Sequence, residues 1–331
     1  MALLKFQNLN KPKPMVSVFM ITYNHENYIA QAIKSVLLQK TSFDYDIIIG
    51  EDCSTDNTRN VVLEYAEKNP DKFKLLLNKQ NIGPVANQLA TLQACTGKYV
   101  ALCEGDDYWT DPYKLQKQVD FLEANPEYGL VHTNYSMLLE ENNEITSKRL
   151  DNNDNLYHDI SFSQLLLGNL IGTLTVCFKK NILKKFSLDY TRFKMGDYPL
   201  WLEFAYHSKI GFIDDNTGVY RVKSNSASNS KDKNSEFQFF KNIIEIVDFY
   251  SSKYNLPIEE RQDILFRHLE NTLYVGYSRS NKYMTDYSFL SIKDHFANKL
   301  TLYHKLIYYG NQSISRLLFK VLIKIYLKIK K

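Results

Sequence analysis

Tyr99-Val100-Ala101-Leu102-Cys103-Glu104-Gly105-Asp106-Asp107-Tyr108-Trp109 is the segment from which the architecture can be read. Five apolar residues in a row read as a buried strand, and three carboxylates within four residues follow at its end. Crowded carboxylates raise one another's pKa unless a cation intervenes, and hard oxygen ligands suit Mg²⁺ or Mn²⁺. Taken alone, the same turn reads equally well as an acidic lead into a helix opened by Pro112, with Asp111 as its cap.

Upstream, strand and helix patterns alternate. Val16–Ile21 reads as a strand, Ala30, Ile33, Val36 and Leu37 fall at helical spacing, and Asp46–Ile49 reads as a buried strand. A helix around Val61–Ala66, a short strand Phe73–Leu77 and a helix over Val85–Ala94 lead to the strand at Tyr99. This alternation predicts an α/β domain with a mainly parallel sheet covered by helices on both faces. Ligands of such sheets gather at the carboxyl ends of the strands. Two more polar segments stand there: Thr22-Tyr23-Asn24-His25 and Glu51-Asp52-Cys53-Ser54-Thr55-Asp56. Neither a G-x-G-x-x-G turn nor a Walker A loop is present, which argues against a dinucleotide or bare phosphate cradle.

Downstream, a helix is expected over Tyr113–Glu123 and a strand over Leu130–Tyr135, followed by a polar insertion, Glu140–Asp159. Helices are expected near Ser161–Leu167 and Tyr198–Ser208, and strands near Thr173–Phe178 and Gly218–Val222. Lys223–Ser235 reads as a Ser/Asn/Lys-rich loop, and the chain beyond it as helical.

The 331 residues suggest two domains, or one large domain with an appendage; 44% hydrophobic and 24% charged residues fit a globular chain and exclude a disordered or fibrous one. Cys53, Cys95, Cys103 and Cys177 lack the C-x-x-C or histidine spacing of a zinc site and read as reduced thiols of a cytosolic protein. The opening residues lack a secretory signal, and the longest apolar run is five residues against the ~20 that cross a bilayer. No nucleic-acid partner is expected. The net charge of +4 is uneven, because residues 295–331 hold eight of the 41 Lys/Arg and none of the 37 Asp/Glu, leaving −4 on the rest.

In order and spacing, the strand-end segments resemble those of the family 2 glycosyltransferases of the GT-A fold. The resemblance rests on Thr22-Tyr23-Asn24, on Glu51-Asp52 with Ser54 and Asp56, and on Asn81-Ile82-Gly83 with Asn87. It extends to Gly97-Lys98-Tyr99 and the D-x-D-type Glu104-Gly105-Asp106-Asp107, and covers residues 15–225. It implies a GT-A domain over 1–228, with a nucleotide-binding half at 15–112 and an acceptor half at 113–228, and a helical C-terminal region over 229–331. The activity implied is inverting, metal-assisted transfer of a sugar from a UDP- or dTDP-sugar to a cell-surface glycan acceptor, free or lipid-linked.

Residue by residue, the resemblance implies that Tyr23 packs near the nucleobase and that Asp52 accepts from its imide N–H, with Thr22, Asn24 and Asn87 lining the donor site. Asp106 would hold the ribose, and Asp106 and Asp107 the Mn²⁺ or Mg²⁺ at the diphosphate. Glu51 and Glu104 stand where Asp is commoner, and their longer arms make them second-rank contacts. Asp197, in Met195-Gly196-Asp197-Tyr198-Pro199-Leu200-Trp201, matches an acidic motif with Gly196 in place of its first acid and is the candidate general base; its competing role is a helix cap. Arg221 and Lys223 match the segment that closes over the diphosphate, Lys223 standing where His is frequent. His25 is assigned only a polar loop role.

In the tail, Arg316, Lys320, Lys324 and Lys328 recur every four residues among Leu317, Leu318, Val321, Leu322, Ile325 and Ile329. This basic amphipathic pattern suits an anionic membrane surface, through residues 311–331, and places the enzyme in the cytosol at the inner face of the cell membrane. Packing on the domain or on a second copy in a homodimer is the competing reading. Two other functions stay open at this point: a sugar-phosphate nucleotidyltransferase, whose glycine-rich basic loop is missing, and a non-catalytic module that binds glycan or nucleotide.

Overall fold

The computed structural model describes residues 3–5, 12–146, 159–186, 192–223 and 230–312. The chain divides into two compact units, Met1–Lys223 and Ser224–Lys331. The first is built on a ten-stranded sheet of β1 (Leu3–Lys5), β2 (Val16–Thr22), β3 (Tyr45–Glu51), β4 (Phe73–Leu77), β5 (Tyr99–Leu102), β6 (Tyr108–Trp109), β7 (Tyr128–Leu139), β8 (Glu144–Thr146), β9 (Cys177–Lys179) and β10 (Lys209–Val222). Their order is β1-β4-β3-β2-β5-β9-β7-β10-β6, with β8 on β7. The block β4-β3-β2-β5 is parallel throughout, and β7 and β10 form a second parallel pair. Antiparallel β9 joins the two.

The parallel block is the part whose sequence is continuously apolar, as strands covered on both faces require. Val16, Val18, Met20, Ile47, Ile48 and Ile49 are fully buried. Among the described residues, six helices accompany the sheet: α1 (Ile29–Leu37), α2 (Thr58–Lys68), α3 (Pro84–Ala94), α4 (Lys114–Ala124), α5 (Phe162–Leu166) and α6 (Asp197–His207). On α1, the i, i+3, i+4, i+7 set Ile29, Ala32, Ile33 and Val36 turns one face into the core. The register pairs Thr22 with Glu51 and Phe19 with Leu102. The carboxyl ends of β2, β3 and β5 therefore open side by side, which places the three polar segments together.

Three expectations need correction. The strand expected at Gly218–Val222 begins at Lys209. Its polar middle hid it: register shifts flank Asn216, where Asn134 Nδ2 donates to Asp214 Oδ1 at 3.0 Å and Asn216 Nδ2 to Ser136 Oγ at 2.6 Å. Of the expected strand at Thr173–Phe178, Thr173–Thr175 is a 3₁₀ turn and only Cys177–Lys179 pairs in the sheet. The polar insertion holds β8, folded back on β7; residues 147–158 lie outside the described residues.

The second unit is helical, with α7 (Lys233–Lys253), α8 (Ile258–Ser278), α9 (Lys282–His295) and α10 (Leu302–Gln312). Ile244, Leu269, Leu273, Phe289, Ile292 and Ile307 form its core. Buried Glu236 is held there by Arg279 Nη1 at 2.8 Å and Asn281 Nδ2 at 2.9 Å. The basic amphipathic stretch at 316–329 lies outside the described residues. Among the described residues, no helix is long and apolar enough to cross a membrane.

Candidate active site

The loops after β2 and β3 are laced together by their polar side chains. Asn24 N–H donates to Ser54 Oγ at 3.0 Å, and Asn24 Oδ1 accepts from Thr55 N–H at 2.9 Å. His25 N–H donates to Thr58 Oγ1 at 2.7 Å. Asn24 and Cys53 adopt left-handed backbone, with φ of 53° and 60°, so each loop reverses sharply. Asn24 thus serves loop geometry, while Tyr23 beside it remains 41% exposed. An exposed ring next to a fixed backbone turn is available for stacking.

Asp52 is buried and well supplied with donors. Oδ1 accepts from Asn78 Nδ2 at 2.8 Å and Ile82 N–H at 2.9 Å, and Oδ2 from Gly83 N–H at 2.9 Å. Asn87, also buried, donates to Gly50 O at 2.8 Å and accepts from Asn78 at 3.2 Å. Glu51 is buried too: its carboxylate pairs with Arg59 and accepts from Ser54 N–H at 2.6 Å. Together these residues clamp the ends of β3 and β4 to the start of α3.

The carboxylates after β5 form the centre of the site. Oxygens of Glu104, Asp106 and Asp107 lie within 4.8 Å of one another. Gly105 permits this packing, because a Cβ there would stand 2.7 Å from Thr22 Oγ1 and 3.0 Å from His25 Nδ1. Burial, then the charges of Asp106 and Asp197, push Glu104 up to about 8. Burial, then Asp106 and Glu104, raise Asp107 well above the usual carboxylate range. For Asp106 burial acts in the same direction, yet His25 and Lys223 outweigh it and hold the carboxyl low. Lys223 Nζ lies 2.7 Å from Asp106 Oδ2, and His25 Nε2 lies 3.7 Å from the same oxygen.

Sequence reasoning missed His25, whose only signal was its place directly after Thr22-Tyr23-Asn24. It missed Tyr28 as well, a residue that carries no motif. Lys223 Nζ sits 4.6 Å and the Arg221 guanidinium 5.0 Å from the Tyr28 ring centroid. Arg221 is also 5.1 Å from the Tyr108 ring, and its backbone N–H donates to Asp107 Oδ1 at 2.9 Å. That last bond ties the end of β10 to the carboxylate cluster.

Asp197 is the first residue of α6, after Gly196 at the N-cap position. Its Oδ2 accepts from Asn169 Nδ2 at 3.1 Å. Burial raises its pKa, outweighing the Tyr198 backbone and Asn169 donors that favour the charged form. Its charge is felt at Glu104, so the fold brings the two carboxylates into one electrostatic site. The glycine before it has a steric cause, since a Cβ at Gly196 would meet Gln88 Oε1 at 2.1 Å, while Gln88 Nε2 donates to Gly196 O at 3.1 Å.

The donor set suits a hard divalent cation. Three carboxylates offer oxygens, and the buried Oδ2 of Asp107 has no hydrogen-bond partner. An unpaired buried carboxylate oxygen is costly without a cation, which gives Asp107 and Asp106 the chemistry of Mg²⁺ or Mn²⁺ ligands.

Comparison with known proteins agrees with this architecture. An uncharacterized Mycobacterium tuberculosis protein, Rv1520, is 33% identical over 212 residues, 62% of this chain. The match spans 58% of that relative's length. The UDP-Glc:alpha-D-GlcNAc-diphosphoundecaprenol beta-1,3-glucosyltransferase WfgD of Escherichia coli is 31% identical over 223 residues, 66% of this chain and 81% of WfgD. The mannosyltransferase PcManGT of Pyrobaculum calidifontis, solved with GDP-Man and Mn²⁺, superimposes with a TM-score of 0.56 at 16% identity, covering 96% of this chain and 87% of that one. At that identity the likeness shows the fold. The family model "Glycosyl transferase family 2" matches residues 17–188. With the strand-end motifs, the parallel block and the carboxylate cluster, the match shows that the chain belongs to glycosyl transferase family 2.

Proposed function

We propose that the protein is an inverting glycosyltransferase that moves a sugar from a UDP- or dTDP-sugar to a cell-surface glycan acceptor, free or lipid-linked. The observation that carries this reading is the cluster of Glu104, Asp106 and Asp107 at the end of β5. Tyr23 offers its exposed face to the nucleobase. Asp52 holds the Ile82-Gly83 turn against the base and retains lone-pair capacity on Oδ2 for an imide donor. Asp106 and Asp107 would hold Mn²⁺ or Mg²⁺, and the ion would supply positive charge at the diphosphate.

Asp197 takes the proton of the acceptor hydroxyl as that oxygen attacks the anomeric carbon. The bond from that carbon to the diphosphate breaks, and the nucleoside diphosphate leaves with its electron pair. Arg221 and Lys223 supply positive charge to the departing group. A carboxylate raised by burial is a stronger base than an exposed one, which suits this step. WfgD is named for a diphosphoundecaprenol-linked substrate, which supports a lipid-linked acceptor here and a location at the inner face of the membrane. We take the domain boundary as residue 228 and the acceptor half as 113–228, five residues beyond the division of the chain into compact units after Lys223.

The test is a screen of nucleotide-sugars for nucleotide release, with and without Mn²⁺ and with glycan and lipid-linked acceptors. Acceptor-dependent release that needs the metal supports the reading. Nucleotide binding without turnover across the panel would select the non-catalytic module instead.

A further inference from the structure

Three carboxylates share the end of β5, yet among the described residues only Asp106 is in contact with cations. The Lys223 ammonium is 2.7 Å from Asp106 Oδ2, whereas Glu104 and Asp107 make no ion pair. The two cations of this rim are held differently. Arg221 is fastened by its backbone N–H on Asp107, by its side chain on Gln31, and between the rings of Tyr28 and Tyr108. Lys223 follows the last residue of β10, and among the described residues its ammonium rests on Asp106 and on the Tyr28 ring.

With an ammonium 2.7 Å from Asp106 Oδ2, a divalent ion bound to the same oxygen at about 2.0–2.1 Å would stand close to a like charge, so the two repel across it. A divalent ion arriving alone therefore meets a repelling charge on the oxygen it needs. A diphosphate changes this balance, because its oxygens can take the ammonium and ligate the ion together. The Tyr28 ring, 4.6 Å from Nζ and anchored by its hydroxyl to Glu140 Oε2 at 3.2 Å, gives the ammonium a surface to turn on without leaving the site.

Resting on the reading of this cluster as the metal and donor site, we propose that Lys223 is its resident cation. The ammonium and the divalent ion compete for Asp106 Oδ2, so the ion enters together with the nucleoside diphosphate, to which Lys223 transfers, and not ahead of it. Lys223 is in this sense a positioning residue that couples metal affinity to donor occupancy.

The experiment is an electron paramagnetic resonance titration of the full-length protein with Mn²⁺ alone and Mn²⁺ plus UDP, comparing wild type with Lys223→Met. The side chain is 23% exposed, so the substitution leaves the core intact; Lys223→Gln serves as a second uncharged variant and Lys223→Arg as a charge-retaining one. Wild type should bind Mn²⁺ alone weakly and gain at least about tenfold with UDP, the size expected when one contact charge is relieved at a partly exposed site. Lys223→Met and Lys223→Gln should bind Mn²⁺ alone about tenfold more tightly than wild type and lose most of the UDP effect. Lys223→Arg should restore the exclusion. Equal affinity of wild type and both uncharged variants for Mn²⁺ alone, with UDP still promoting binding, overturns the competition and leaves the metal site standing. Absence of Mn²⁺ binding in all proteins, with UDP present, instead overturns the metal site itself.

Discussion

Replacing Asp197 by Asn separates its two roles by magnitude. As a helix cap, the side chain would lose little, because Asn caps a helix about as well as Asp; as a general base it would lose about 10²–10⁴ in rate, or roughly 2.7–5.5 kcal/mol at 1.36 kcal/mol per tenfold. Asp197 is the first residue of α6, after Gly196 at the N-cap position, and its carboxyl takes backbone as well as side-chain donors. Asn keeps an oxygen for the Asn169 donor, so the fold should lose under about 1 kcal/mol. Removing the Asp197 charge also relieves Glu104, which should leave donor and metal affinity intact or slightly improved. In the wild type, turnover requires the ionised carboxylate, whose pKa burial raises; kcat/KM should therefore fall on acidification at a higher pH than an exposed aspartate would give. The assay is acceptor-dependent nucleotide release across pH, with calorimetric UDP titration and a thermal melt of the same samples. Wild-type turnover in Asp197→Asn, or a rate loss matched by a loss of stability, would refute the assignment.

Four further outcomes are expected. Asp107→Ala should abolish turnover and remove the Mn²⁺ enhancement of UDP binding by calorimetry; equal enhancement in mutant and wild type counts against the metal assignment. Gly105→Ala forces a Cβ to 2.7 Å from Thr22 Oγ1, so Mn²⁺ affinity should drop while the unfolding midpoint in urea moves only slightly. Lys114 is fully buried and its amine is pushed down to about 8 from 10.5. The unfolded chain then binds more protons between those values, so this residue makes stability rise between pH 8 and 10.5, by about 3 kcal/mol at most; Lys114→Met should flatten that slope in urea melts. Removing residues 311–331 takes away six of the 41 basic side chains; activity on a soluble acceptor should survive while co-sedimentation with anionic vesicles falls, and unfolding of the truncated chain would mean that this segment serves packing instead.

Much of this protein was legible in the chain itself, because its signals are local. Continuous apolar runs at Val16–Ile21 and Tyr99–Cys103 mark strands buried on both faces, and the helical spacing of Ile33, Val36 and Leu37 marks the cover between them. Polar residues directly after such strands must lie at one edge of a parallel sheet, which is why Thr22, Glu51, Asp52, Glu104, Asp106 and Asp107 could be grouped without coordinates. Only the tertiary structure decided what each of them touches. Asp52 and Asn87 are bound to the Ile82-Gly83 turn and to Gly50, and Glu51 is committed to Arg59. The contacts of Asp52 and Asn87 span 30 or more residues of chain, and none of these contacts leaves a periodic trace. Likewise, the 14-residue β10 was hidden by its polar, bulged middle, since alternation fails where Asp214 and Asn216 find partners on β7. His25 and Tyr28, from the loop after β2, and Lys223, from the end of β10, meet at one oxygen or one ring only after the sheet has closed. Local pattern determines which residues can stand at a strand end; the charge balance among them depends on distances of a few ångströms, which folding alone sets.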